Sequence, residues 1–266
     1  MVYEACLIVS SSKDELPTHL SQEIARLSRD AIAARGAFTI ALSGGSLPSF
    51  LSVLPSVVTE SEFDKWHILL ADERCVPSTD PDSNLGVLRE KLLSSINIPT
   101  SQIHGINESE LNNIDEQRSG EIVSRIAQDY EDIVKTVLTK YSAGRLDLAV
   151  LGFGPDGHTC SLFPDHKLLK EAQKWVAGII DSPKLPHQRV TLTFPLLNKL
   201  TRHVIFCGAG GSKAPILKKI FQSLSNYDES VNRNRVIMIE PYPYPCAGVL
   251  PNVHGEESTL TYVVDR

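Results

Sequence analysis

The segment from Leu146 to Pro164 constrains the fold more than any other part of this 266-residue chain. It opens with an apolar run, broken only by Asp147, that is typical of a buried strand. The run ends in a turn with three glycines, Asp156 and His158. Because open α/β sheets bind ligands beyond the carboxyl ends of their strands, a functional histidine is expected in such a turn. The alternative is that Gly-Pro-Asp-Gly is ordinary turn chemistry and that the histidine is merely solvated.

Short apolar runs and amphipathic helical patterns alternate along the rest of the chain. The other predicted strands are Tyr3 to Val9, Phe38 to Leu42, Trp66 to Ala71, Trp175 to Ile180, Arg189 to Phe194, His203 to Cys207, Val236 to Ile239 and Thr259 to Val264. The predicted helices are Asp14 to Arg35 with Gly36 as its stop, a short one through Phe50 and Leu54, Asn84 to about Leu93, one within Ile114 to Tyr141, and one through Ile216 and Leu224. Asn107 to Asn113 is predicted to be a loop.

This alternation predicts an α/β protein with a mostly parallel, Rossmann-like open sheet and helices on both faces. We expect the stretch from Trp175 to Phe194 to add an antiparallel pair. No repeat, low-complexity segment or linker divides the sequence, so residues 1–266 are predicted to form a single domain.

Composition narrows the function classes. With 42% hydrophobic and 22% charged residues, global disorder is excluded. The net charge of −6 argues against a nucleic-acid partner, although a local basic cluster can still bind phosphate. The five cysteines form no C-x-x-C pair, which indicates neither a disulfide framework nor a zinc site. There is no signal-like N-terminus and no apolar run of about 20 residues. We therefore expect a cytoplasmic protein without a membrane partner, and nothing requires more than a monomer.

Two glycine turns at predicted strand ends are suited to anions. Ser43, Gly44, Gly45 and Ser46 follow one strand and open a helix, where exposed backbone N–H groups bind phosphate or carboxylate oxygens. Gly208 to Lys213 repeats the arrangement and adds an ammonium group. The alternatives are a plain strand-to-helix turn and a surface lysine.

Asp72, Glu73 and Arg74 lie at another strand end. The planar guanidinium of Arg74 matches a phosphate, and one of the acidic side chains is expected to hold it in place. The alternative is a surface ion-pair cluster.

The glycines at 152, 154 and 157 formally match a dinucleotide fingerprint, with Asp181 as the distant acid. We discount it, because Pro155 and Asp156 fit poorly between the last two glycines and Pro164 breaks the segment where a helix is required. Nucleophile elbows and metal-ligand spacings are missing as well. The prediction is a site with no metal and no cofactor, built on one histidine, several carboxylates and an anion cradle.

Taken together, these blocks resemble the glucosamine-6-phosphate isomerase/6-phosphogluconolactonase family. The likeness rests on SGGS at 43–46, DER at 72–74 followed by Ser83-Asn84, GFGPDGHT and SLFP within 152–164, and GGSKA at 210–214, and it covers nearly the whole chain. Two departures stand out: Leu47 replaces a frequent Thr, and Cys160 replaces the usual Ala.

The resemblance implies a glucosamine-6-phosphate-isomerase-like fold and a lactone hydrolase. The implied reaction is hydrolysis of 6-phospho-D-glucono-1,5-lactone to 6-phosphogluconate in the oxidative pentose phosphate pathway. His158 would be the catalytic base, with Asp156 orienting it or the water. The substrate and its phosphate would be held by the set Ser43, Gly44, Gly45, Ser46, Asp72, Arg74, Arg189 and Lys213.

Two other functions stay open. One is an amino-sugar-phosphate isomerase/deaminase, although Thr159 to Pro164 lacks the acidic residues that such enzymes carry after the histidine, and Arg74 lies where they typically have an aromatic residue. The other is a non-catalytic sugar-phosphate-binding protein, since a fold alone does not fix function.

Overall fold

The computed structural model describes residues 3–57, 63–114, 117–221, 233–240, 242–252 and 257–266. The strands in these ranges are β1 Glu4–Ser10, β2 Phe38–Leu42, β3 Trp66–Leu70, β4 Asp72–Arg74, β5 Leu146–Leu151, β6 Val176–Ile179, β7 Arg189–Leu192, β8 Thr201–Gly208, β9 Arg233–Ile237 and β10 Thr259–Asp265. The helices are α1 Leu16–Arg35, α2 Leu47–Leu51, α3 Leu54–Val57, α4 Asn84–Lys91, α5 Ser119–Tyr141, α6 Phe194–Lys199 and α7 Ala214–Ile220.

Within the described ranges, the main sheet has seven strands in the order β3-β2-β5-β8-β10-β1-β9. All neighbouring strands are parallel except β9, which runs antiparallel to β1 at the edge. Strands β2, β3 and β5 are buried at every residue, which requires cover on both faces of the sheet. The predicted α/β class and mostly parallel sheet are confirmed.

The two long helices follow the predicted apolar periodicity. Helix α1 packs on β1, β2, β5 and β10, and it ends where Gly36 adopts a φ of 78° and donates its N–H to Ile32. That left-handed conformation suits glycine, so the predicted stop is confirmed. Helix α5 packs between β2 and a second, smaller sheet.

The smaller sheet is antiparallel, with the order β4-β7-β6 in the described part of the chain. The predicted antiparallel pair from Trp175 to Phe194 is confirmed as β6 and β7. The third strand was not predicted, because Asp72 to Arg74 was interpreted as the end of β3. Ala71 separates the two sheets: its N–H bonds to Leu42 in the main sheet, and its carbonyl accepts from Leu192 in the smaller one.

Other differences from prediction are local. Residues 107–113 are not a plain loop, because Glu108–Asn113 forms a 3₁₀ helix capped by the Asn107 side chain. The closing strand predicted at Val236 to Ile239 runs instead from Arg233 to Ile237. Leu224 lies outside the described residues. Among those that are described, no helix is long and apolar enough to span a bilayer.

The topology places a crevice between β2 and β5. The chain leaves β2 towards β3 on one side and leaves β5 towards β8 on the other. Loops that depart in opposite directions open a gap beyond the carboxyl ends of the strands, and ligands of such sheets bind there.

Candidate functional site

A cleft of about 690 Å³, its open mouth included, occupies this crevice. The residues lining it are Ser43, Gly44, Gly45, Ser46, Leu47, Asp72, Arg74, Asn84, Gly152, Phe153, Gly154, His158, Cys160, Arg189, Cys207 and Lys213. Every residue predicted for the site is in this set except Asp156, which contacts His158. The cleft therefore gathers groups from the ends of β2, β5 and β8 and from the smaller sheet.

The turn at 43–46 forms one wall. The N–H of Ser43 continues the sheet by bonding to Val150, and Gly45 has a φ of 67°. The α-carbon of Gly44 lies against the amide of Asn84, so any side chain at Gly44 would overlap that amide. The turn thus needs glycine at both positions.

Arg74 and Arg189 are directly paired across β4 and β7. Burial lowers the pKa of Arg189, and the positive charge of Arg74 lowers it further, because like charges paired across two strands repel each other. Arg74 donates from Nη1 to the carbonyl of Asp82 at 2.6 Å, and its buried Nε has no hydrogen-bond partner among the described residues. An anion in the cleft would relieve both features.

Contrary to expectation, neither acidic side chain before Arg74 forms an ion pair with its guanidinium in the described part of the chain, although Glu73 accepts from the backbone N–H of Arg74 at 2.7 Å. Asp72 accepts from the hydroxyl of Ser161 at 2.8 Å, and its carbonyl accepts from the Asn84 amide at 2.8 Å. Glu73 accepts from the N–H of Asn84 and of Leu85, both at 2.8 Å, at the start of α4. Burial raises the pKa of Glu73, and these hydrogen bonds oppose the rise. Glu73 therefore fastens α4 to β4.

The turn after β5 presents His158 with Asp156 beside it. Asp156 Oδ1 forms a short hydrogen bond with His158 Nδ1, and the imidazole stacks on Phe163 with ring centroids 5.0 Å apart. The turn is closed by the N–H of Gly154 bonding to the His158 carbonyl at 2.8 Å. After Gly157 the chain forms turns and a bridge between Thr159 and Leu162, so no helix follows the apparent dinucleotide fingerprint.

Electrostatics keep this pair in a defined protonation state. Partial burial acts against ionisation of Asp156, but the hydrogen bond and charge of His158, with the charge of Lys184, hold its pKa below the usual range. Burial lowers the pKa of His158, Asp156 opposes that shift, and Lys184 reinforces it. An ionised carboxylate only accepts, so Nδ1 carries the proton and Nε2 has a free lone pair.

Lys213 approaches the cleft from the end of β8. Its ammonium donates to the carbonyl of Phe153 and lies 5.0 Å from the centroid of the Phe153 ring. Burial lowers the pKa of Lys213, and Lys184 adds to the shift. Gly208 makes room for the same ring, because a side chain there would come within 2.8 Å of it.

Sequence reasoning assigned no role to Asn84, Phe153 or Lys184. Asn84 was visible only as part of the Ser83-Asn84 pair, and Lys184 lies in a stretch that reads simply as turn-rich. In the described part of the chain, no three His, Cys, Asp or Glu side chains cluster as they would around a metal ion.

The fold and the cleft define a class: an open α/β protein whose switch-point crevice combines an oriented imidazole with several cationic groups. Residues 11–254 match the family model for glucosamine-6-phosphate isomerases and 6-phosphogluconolactonases. The chain belongs to this family.

Named relatives agree with the family. A 6-phosphogluconolactonase of Homo sapiens is 41% identical over 239 residues, which cover 88% of this chain and 86% of the relative. A probable chloroplastic 6-phosphogluconolactonase of Oryza sativa is 41% identical over 221 residues, covering 81% of this chain. This chain spans only 65% of the length of that plant relative.

Solved structures agree with the fold. The 6-phosphogluconolactonase from Trypanosoma cruzi aligns with a TM-score of 0.75 at 24% identity, covering all of this chain and 96% of the other. A monomeric glucosamine-6-phosphate deaminase aligns with a TM-score of 0.66 at 18% identity, covering 98% and 97%. The predicted glucosamine-6-phosphate-isomerase-like fold is confirmed.

Proposed function

We propose that this protein is a 6-phosphogluconolactonase, which hydrolyses 6-phospho-D-glucono-1,5-lactone to 6-phosphogluconate. The observation that carries the proposal is the cleft itself, which is lined by His158, Arg74 and Arg189, with Asp156 bonded to His158. The named human and rice relatives support it.

The proposed chemistry is general base catalysis by His158. Asp156 accepts a hydrogen bond from the Nδ1–H of His158. Nε2 of His158 removes a proton from a water molecule while the water oxygen bonds to C1 of the lactone. The N–H groups of Gly154 and Gly157 are already used inside the turn, Pro155 has none, and that of Asp156 bonds to its own carboxylate. Gly152 and Phe153 are therefore proposed as the backbone donors for the oxyanion. Collapse of the intermediate breaks the bond between C1 and the ring oxygen, which receives the proton from the imidazolium. This route needs neither metal nor cofactor.

The proposed phosphate site is formed by the turn at 43–46, Arg74 and Lys213, with Arg189 completing the pocket. Arg74 and Arg189 face each other without a carboxylate ion pair among the described residues, as expected of groups that await an anion. The carboxylate of Asp72 would repel a phosphate, so we assign Asp72 to accept a hydrogen bond from a hydroxyl group of the sugar. Anchoring the phosphate far from C1 positions the carbonyl for attack.

The test is lactone hydrolysis above the spontaneous rate, with the lactone generated in situ. We expect His158→Asn to lower kcat by about 10²- to 10⁴-fold while 6-phosphogluconate still binds. Full activity in the variant would remove His158 as the base and redirect the search to Asp72 and Asp156.

Two further measurements separate the alternatives. An amino-sugar-phosphate deaminase would release ammonia from glucosamine 6-phosphate, and a binding protein would bind 6-phosphogluconate without turnover. Either result would replace the lactonase proposal. A place in the oxidative pentose phosphate pathway, a monomeric single domain and a cytoplasmic location are parts of the proposal; the rice relative is named chloroplastic.

A further inference from the structure

Lys184 lies beside the His158–Asp156 pair but has no role in the mechanism above. Its Nζ is 3.1 Å from His158 Nδ1 and 3.5 Å from Asp156 Oδ2. It is also 5.9 Å from the centroid of the Phe163 ring, on which the imidazole stacks. The lysine side chain is 44% exposed, so it reaches the pair from the rim of the cleft.

The hydrogen-bonding capacity of the three groups fixes how they interact. His158 Nδ1 donates its proton to Asp156 Oδ1, so that nitrogen has no lone pair for the ammonium of Lys184. The second oxygen of Asp156 is left for Lys184, and the short distance between Nζ and Nδ1 is a contact between two donors. Lys184 thus bonds to the carboxylate and repels a positive charge on the imidazole.

The backbone of Lys184 is held firmly by the hairpin between β6 and β7. Arg189 donates from Nη2 to the carbonyl of Lys184 at 3.0 Å and to that of Leu185 at 2.9 Å, and from Nε to that of Pro186 at 2.8 Å. The Ser182 hydroxyl donates to the Lys184 carbonyl at 2.8 Å. A buried arginine therefore fixes the loop that carries the lysine.

Without Lys184, the carboxylate would stabilise the imidazolium. The groups that face His158 are the carboxylates of Asp156 and Asp72, the ammonium of Lys184 and the ring of Phe163. Burial has the largest effect and lowers the pKa of His158; of the charged groups facing the ring, both carboxylates favour a protonated imidazole and Lys184 opposes them. A histidine can accept a proton only while its imidazole is neutral, so the balance between the two carboxylates and Lys184 affects hydrolysis near neutral pH.

We propose that Lys184 is a positioning residue that fixes the Asp156 carboxylate and offsets its charge, so that His158 stays neutral and able to accept a proton. The inference rests on the proposed function, because it assigns the base to His158. Arg189 then has a second role, because it holds the loop that places Lys184 beside His158 and Asp156.

The experiment compares Lys184→Met with the charge-preserving Lys184→Arg and with Lys199→Met, a control at an exposed lysine at the end of α6. Two readouts are followed in each variant: the NMR titration of the His158 ring, identified by its loss in His158→Asn, and the pH profile of kcat. Circular dichroism checks that each variant is folded.

In Lys184→Met we expect the His158 ring to titrate at higher pH and the acid limb of kcat to move with it. The ratio of kcat at pH 6 to kcat at pH 7.5 should then fall by about threefold. Lys184→Arg should restore most of the native titration, and Lys199→Met should leave it unchanged.

Two results would overturn the proposal. One is an unchanged His158 titration in Lys184→Met with a raised KM, which would make Lys184 a substrate contact. The other is an equal titration shift in the Lys184→Met and Lys184→Arg variants, which would point to packing and not charge. The NMR readout needs no turnover, so it tests Lys184 even if lactone hydrolysis is not observed.

Discussion

At the scale of single residues, Gly154 is the position on which the geometry of the proposed base depends most directly. A side-chain carbon added there would overlap both His158 Nδ1 and Asp156 Oδ1. We expect Gly154→Ala to push the imidazole away from its partner while the fold survives, because the overlap is confined to two partly exposed side chains. The catalytic loss should approach that of losing an oriented base, about 10²-fold in kcat.

The measurement is kcat together with the melting temperature. Gly120→Ala is the matched control: an added carbon there meets only Ile180 at 3.7 Å, an ordinary contact, in the first turn of α5. That control should keep full activity. Native kcat in Gly154→Ala would show that the short pairing of His158 with Asp156 is not needed for turnover.

The residues predicted from sequence were those that follow strands in recognisable blocks. Ser43 to Ser46, His158 and Lys213 line the cleft because the carboxyl ends of parallel strands meet at one edge of a sheet, and Arg74 lines it from β4, shortly after β3 ends. Lys184 was missed because it reaches His158 only through the return of a hairpin. Nothing in its neighbouring residues encodes that distance. The functional roles of all these residues stay predictions.

At the scale of elements, the outer edge of β3 is protected by a short segment rather than by a strand. Ile103 bridges to Ile68, and the N–H of His104 donates to the Ile68 carbonyl at 2.9 Å. His67 on β3 stacks on Tyr141 with centroids 3.7 Å apart and bonds through Nδ1 to His104 Nε2 at 3.2 Å. Such a bond needs one ring to donate and the other to accept, so both rings cannot be protonated.

This contact predicts a loss of stability in acid. Burial, with the nearby charges of His104 and Lys140, lowers the pKa of His67 from 6.5 to about 4. Below pH 6.5 the unfolded chain binds a proton that the folded chain refuses, so stability falls as the pH drops from 6.5 towards 4. The loss from His67 at pH 5 should be at most about 2 kcal/mol.

Urea unfolding at pH 7 and pH 5 measures this loss. The variant His67→Phe keeps an aromatic ring against Tyr141 and removes the titrating group, so its free energy of unfolding should change less between the two pH values. An equal change in the native protein and the variant would place the acid sensitivity elsewhere.

Two elements that sequence reasoning did not predict are the short helix α6 and the strand β4. Strand β3 runs straight towards Asp72 in the sequence, and a three-residue strand carries no periodic pattern of its own. Its identity depends on pairing with β7, more than 100 residues later, which puts Arg74 opposite Arg189. The long elements were predictable because their apolar periodicity extends over several turns or a whole buried strand.

At the scale of the whole molecule, the cleft joins two sheets. The turn at 43–46, His158 and Lys213 extend from the main sheet, whereas Arg74 and Arg189 belong to the smaller one. The chain as a whole is acidic, with a net charge of −6, yet the charged side chains lining this cleft are mostly cationic. A phosphorylated ligand would therefore connect the two sheets and offset the repulsion between Arg74 and Arg189.

This arrangement predicts that 6-phosphogluconate stabilises the fold through its phosphate. At a concentration 100 times its Kd, a ligand of the folded state contributes about 2.7 kcal/mol, which should appear as a rise in melting temperature. Gluconate, which lacks the phosphate, should give little or no rise, and Arg74→Met should reduce the rise given by 6-phosphogluconate. Hydrogen exchange should slow in β4 and β7 as well as in the turn at 43–46, because the ligand bridges both sheets. Protection confined to the main sheet would instead place the phosphate on the turn alone, and Arg189 would then serve only to hold the Lys184 loop.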